Sequence, residues 1–154
     1  MRKTYVTGGV AVVGVLALGA VFAGQTIVAG SPPPYLDAQT VAKGQELYAE
    51  HCAACHGDNL EGQGDWRSRD ADGYLPAPPH DATGHTWHHP DAQLLEITKL
   101  GTAAIVGGVY QSRMSGFGDQ LRDAQIISIL AYIKSTWPAR VVDIHNRINA
   151  DAGG

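Results

Sequence analysis

The sequence predicts an all-α domain of about three to five helices. Three stretches repeat their apolar residues at helical spacing, and no stretch alternates apolar and polar residues as a half-buried strand does. The segments between helices, 57–89 and 101–120, are long and rich in glycine and proline. Loops of that length are uncommon in a compact domain unless a bound group organises them.

The first helix is expected over Asp37 to His51. Asp37 can cap it, and Val41, Gly44, Leu47, Tyr48 and His51 share one face. A glycine inside a helix costs about 1 kcal/mol against alanine. Its place on the inner face therefore points to close approach by another helix. Pro90 is expected at the first position of the second helix, with Asp91 behind it. Leu94, Leu95 and Ile97 supply its apolar contacts, and Gly101 can close it. The third helix is expected from Asp123 to Trp137, with Ile126, Ile129, Leu130, Ile133 and Trp137 as a stripe. Pro138 ends it. The tail, 139–154, carries a weak pattern of Val141, Ile144 and Ile148 and either packs as a short extra helix or frays. His145 has no partner in sequence and is expected at the surface.

The chain has 154 residues, enough for one small domain with attachments. Arg2 and Lys3 precede an uncharged stretch with the apolar heart "VAVVGVLALGAVFA". Residues 1–30 read as an export signal cleaved after Ala23, or as an anchor in which 5–29 tether the protein to the membrane. Residues 31–36 form a proline-rich linker, and 37–138 the folded domain. Either way the domain is expected in the periplasm, soluble or tethered. The net charge is −4, with 15 acidic residues against 11 basic ones. Setting Arg2 and Lys3 aside leaves 9 basic residues and −6. With no basic cluster, nucleic acid is not an expected partner. An acidic surface suits a redox protein with a basic docking patch, or serves solubility alone. A monomer is expected.

The two cysteines stand together in "HCAACHGDNLEGQG", 51–64. A thioredoxin-like dithiol needs a βαβ setting, and strands are missing. A zinc site needs four ligands, and His56 follows Cys55 too closely to join one. The remaining reading is c-type haem attachment: Cys52 and Cys55 bond one porphyrin covalently, and His56 ligates its iron. Met114, the one methionine beyond the initiator, lies in "RMSGFGD" and is the candidate sixth ligand. His80, His85, His88 and His89 compete for that place.

With these residues assembled, the chain resembles a class I bacterial cytochrome c, the small single-haem periplasmic kind. The resemblance rests on "GQELYAEHCAACHG", "HPDAQLLEITKLG" and "MSGFGDQLRDAQIISILAYIKSTWP", in that order. It implies a cytochrome c fold around one covalent haem c and a crossing of first and last helices that pairs Gly44 with Tyr132. It also implies a proline carbonyl on the proximal imidazole, for which Pro76, Pro78 and Pro79 are candidates. Two residues depart from the family: Ser115 replaces the proline that often follows the ligand methionine, and Arg122 replaces a serine or threonine cap. In "PPHDATGHTWHHPD", His85, Trp87 and His88 are candidate donors to haem propionates. The same histidines make either a copper-binding patch or a polar loop at the haem edge. The function implied is electron transfer between exported or membrane redox partners, without catalysis. The alternatives are a subunit of a larger dehydrogenase or oxidase complex, or a haem enzyme or sensor with a labile sixth ligand.

Overall fold

Helix α1, Ala38–His51, begins where Asp37 caps it: the carboxylate accepts from the Thr40 amide at 2.8 Å and its hydroxyl at 2.6 Å. The computed structural model describes residues 35–153. The expected export signal or anchor and most of the linker therefore lie outside the described residues. Cys52 ends α1, and the chain turns at once into the short α2, Ala53–His56. A single 3-10 turn, Thr86–His88, precedes α3, Asp91–Leu100, and the short α4, Thr102–Val106. Then come α5, Asp123–Ser135, and α6, Ala139–Ala152. Among the described residues there are six α-helices and no strand, only an isolated bridge between Gly101 and Ser115.

Helices α1 and α5 cross at Gly44. A Cβ built there would lie 1.9 Å from the Ser128 carbonyl oxygen and 2.9 Å from the Tyr132 Cβ. Only a residue without a side chain allows that approach. One turn on, the rings of Tyr48 and Tyr132 meet at 5.5 Å. The expected stripe of α5 is the core: Ile126, Ile129, Leu130 and Ile133 are buried, and so is Trp137 just past the helix end. Each such side chain contributes about 1.5–3 kcal/mol through burial. At the start of α5, Arg122 does not leave the cap empty. Gln125 reaches back and its Oε1 accepts from the Arg122 amide at 3.1 Å and from Nε at 3.2 Å.

The tail is helical, and His145 corrects the expectation of a surface residue: it is fully buried. The reason is that α6 folds back over the Thr86–His88 turn and the start of α3. There the His145 ring stands edge-on to Trp137 at 5.0 Å, and its Nε2 meets the His89 carbonyl at 2.9 Å. Asn149 accepts from the Asp91 amide at 2.7 Å, which satisfies one of the free N–H groups at the start of α3. No helix among the described residues is long and apolar enough to cross a membrane.

Candidate functional site

The segment CAACH is held from both sides. The Tyr48 hydroxyl, on α1, donates to the Gly57 carbonyl at 2.9 Å. Cys52 is half-buried and Cys55 exposed, and neither is in a disulfide. Burial, and then the nearby Cys55, push the Cys52 thiol up to about 11. A reactive dithiol needs the opposite shift, so the pair is poorly suited to thiolate exchange.

Behind the motif, the loop folds back on itself. Gly62 donates to the His56 carbonyl at 2.7 Å, and His80 to the Leu60 carbonyl at 2.8 Å. At Gly62, with φ +69°, a Cβ would lie 2.4 Å from the Pro79 nitrogen and 2.6 Å from the Pro78 carbonyl carbon. That close passage brings one particular carbonyl to the imidazole. His56 Nδ1 is 2.8 Å from the Pro78 oxygen. Pro76 and Pro79 make no such bond among the described residues. Burial lowers the pKa of His56, and the Pro78 carbonyl opposes that shift. The ring therefore stays neutral, with Nδ1 as donor and Nε2 left with its lone pair.

The four histidines of the loop separate. His80 stacks on His56 with centroids 4.0 Å apart, and its Nδ1 is 2.7 Å from the Thr86 hydroxyl. Burial first, then His56 and His85, hold its pKa well below the ordinary value. The Trp137 indole N–H donates to the His80 carbonyl at 2.8 Å, tying this loop to the end of α5. His88 stacks on Trp87, while His85 stacks on Trp66 and stands edge-on to His89. The candidate trio His85, Trp87 and His88 is thus divided between two stacks. Trp87 Nε1 makes only a long bond, 3.4 Å, to the Ala82 carbonyl. Among the described residues, no group of three or more His, Cys, Asp or Glu is arranged to hold a metal ion.

Met114 is half-buried, and its Sδ accepts from the Thr102 hydroxyl at 3.5 Å. Thr102, Thr86, Trp66 and Arg113 escaped sequence reasoning. For Thr102 and Arg113 the available signals were position: one opens the helix after Gly101, the other directly precedes Met114. The donor set suits a haem: two free thiols three apart at one helical turn, a neutral imidazole with an uncommitted Nε2, and a single thioether. Leu75, Leu100, Val106 and Val109, on and beside the two long loops, are exposed large apolar side chains.

Fold and site define a small helical domain with a segment suited to covalent haem. The model of the family "Cytochrome c" matches residues 41–137, so the chain belongs to the cytochrome c family. That family's domain carries covalent haem c and transfers electrons. The chain is similar to the Cbb3-type cytochrome c oxidase subunit CcoP of Azospirillum sp. (strain B510), with 34% identity over 97 residues. That stretch is 63% of this chain and 29% of the relative. It is also similar to a thiosulfate dehydrogenase of Stutzerimonas stutzeri (strain A1501), with 32% identity over 95 residues, 62% of this chain and 27% of the relative. The chain thus spans less than a third of the length of either relative. No solved structure matches it.

Proposed function

We propose that the chain is a single-haem electron carrier in which Cys52 and Cys55 form the two thioethers and His56 and Met114 ligate the iron. The observation that carries the reading is the 2.8 Å bond between His56 Nδ1 and the Pro78 carbonyl. A carbonyl that accepts from one ring nitrogen fixes the tautomer and strengthens the other nitrogen as a ligand.

The haem supplies a one-electron iron couple, and the chain's own residues do the rest. Pro78 orients the His56 imidazole, and burial keeps it neutral. The Tyr48 hydroxyl fixes the end of the attachment segment through Gly57. Thr102 donates to the Met114 thioether and orients its lone pairs. No bond is made or broken in the transfer, so the protein needs rigid ligands and a brief docking contact with each partner. The net charge of −6 without Arg2 and Lys3 favours partners with basic docking patches.

Partners are oxidases or dehydrogenases of the kinds for which the two relatives are named, and the domain works on the outer side of the cytoplasmic membrane. Matches of 97 and 95 residues amount to a cytochrome domain's length, which supports an electron-transfer role, as a free carrier or within a larger assembly.

Met114→Ala is the direct test of the sixth ligand. Thioether ligation raises the potential relative to bis-imidazole ligation. The variant should keep its haem, show a lower midpoint potential and bind cyanide or imidazole readily. An unchanged potential with unchanged resistance to those ligands would move the assignment to a histidine.

A further inference from the structure

The chain on the two sides of Met114 is fastened unevenly. After Met114 it is stitched to the end of α3. Ser115 bridges Gly101, Phe117 donates to the Thr98 carbonyl at 3.0 Å, and Gly118 to the Lys99 carbonyl at 3.0 Å. Before Met114 the fastening is sparse: Gly107 donates to the Ala103 carbonyl at 2.9 Å, at the end of α4, and no backbone bond ties residues 108–113 to another element among the described residues. Tyr110 donates only to Gly107, at 3.3 Å, and Val109 is 99% exposed. An open cleft bounded by Arg69, Gly73, Gly107, Val109, Tyr110 and Gln111 separates this segment from the loop 57–89.

Among the described residues, the hydrogen bonds that cross from 107–113 to that loop come from one side chain. Arg113 Nη1 donates to the Asp70 carboxylate, and Nη2 to Asp72 Oδ2 at 2.8 Å. Its guanidinium carbon lies 4.2 Å over the Tyr74 ring. The receiving turn is itself braced. Asp70 Oδ1 accepts from the amides of Asp72 at 3.0 Å and Tyr74 at 2.9 Å, and Arg69 donates to the Gly73 carbonyl at 2.6 Å. A planar fork thus meets a prearranged pair of carboxylates.

We propose that Arg113 is a positioning residue for the sixth ligand: its clamp on Asp70 and Asp72 holds segment 107–113 closed and sets how often the Met114 thioether leaves the iron. This rests on the reading of Met114 as a ligand. Single half-exposed ion pairs contribute little. Here one guanidinium serves two carboxylates and a ring face; among the described residues no other hydrogen bond spans the cleft, and the Arg69 guanidinium stands farther off, 5.8 Å over the Tyr110 ring. Lysine, a point charge, cannot serve both carboxylates in one plane. Segments with few fastenings are where local opening occurs.

The experiment uses the ferric haem-loaded protein and follows imidazole binding at concentrations where the rate is limited by opening. Arg113→Gln should speed that rate by up to about tenfold. Arg113→Lys should fall between it and the parent. Asp70→Asn with Asp72→Asn should match Arg113→Gln, and adding Arg113→Gln to that pair should bring no further change. Salt should speed the parent and leave Arg113→Gln unmoved, because screening acts on the exposed pairs. An unchanged rate in Arg113→Gln, or effects that multiply when the carboxylate and arginine changes are combined, would overturn the clamp. The thioether–iron charge-transfer band separates the two levels. If the parent lacks it, or Met114→Ala keeps it, the ligand reading fails first. If the band behaves and the rates do not, only the clamp fails.

Discussion

At Gly44 a single hydrogen atom in place of a methyl sets how closely two helices pass. With the Ser128 carbonyl 1.9 Å from a built Cβ, no rotamer relieves the clash, and α1 and α5 must separate. Gly44→Val should cost about 1–3 kcal/mol by overpacking, and thermal unfolding should show a drop of about 2–8 °C for each kcal/mol. A variant melting with the parent would mean that the helices do not depend on that contact. Gly44 was legible in the sequence because a poor helix former stood on the inner face of an otherwise good helix. Cys52, Cys55 and His56 were legible for a related reason: their chemistry lies in local spacing. Pro78 was not. Three prolines within four positions look alike in sequence, and the choice among them is made by the passage of Gly62 against Pro78 and Pro79.

Helix α6 lies beyond the matched family stretch of 41–137 and carries the side chains the sequence disclosed least. Its weak apolar pattern concealed a polar buried face. Asp91 of α3, Lys134 of α5 and His145 of α6 are all buried. Lys134 Nζ is 4.0 Å from Asp91 Oδ2 and donates to Asn146 Oδ1 at 2.8 Å, with Tyr35 beneath it at 4.3 Å. His145 Nε2 is 3.7 Å from Asp91 Oδ1. Among the described residues, Asp91 Oδ2 has no hydrogen-bond partner. Burial raises the Asp91 pKa to about 6, against the pull of Lys134, and lowers that of His145 to about 4.

The two shifts act oppositely on stability. The Asp91 contribution is full below its ordinary 3.8 and is lost as pH rises through about 6. The His145 contribution is full above its ordinary 6.5 and is lost as pH falls toward about 4. Each amounts to about 3 kcal/mol at most. In the parent they offset one another between those limits. Asp91→Asn should therefore expose a stability that falls as pH drops from 6.5 to 4, and His145→Gln one that rises over the same range. Denaturant titrations at stepped pH measure both slopes. Variants as flat as the parent would mean that the two groups do not titrate against each other in the folded protein.

Taken whole, the domain is four longer helices, α1, α3, α5 and α6, with the attachment segment directly after the first and two long loops that carry the ligand candidates. The all-α class and the order of the elements were legible because they follow from periodicity and from terminating residues such as Pro138. The arrangement within the loops was not, since it depends on contacts between distant segments. The Trp137 indole on the His80 carbonyl and the Arg113 fork on Asp70 and Asp72 are of this kind. A site divided between a local motif and loops joined at long range shows its first half in sequence and its second half only when folded.

One covalent haem at Cys52 and Cys55 is the proposal on which the other site assignments depend. Its readout is the intact mass of the purified protein after acid–acetone extraction, with the Cys52→Ala/Cys55→Ala variant alongside. The parent should retain the mass of one haem added to its chain, and the double variant should give the bare chain. A parent that loses its haem on extraction, or a double variant that keeps it, would overturn the attachment at these two cysteines.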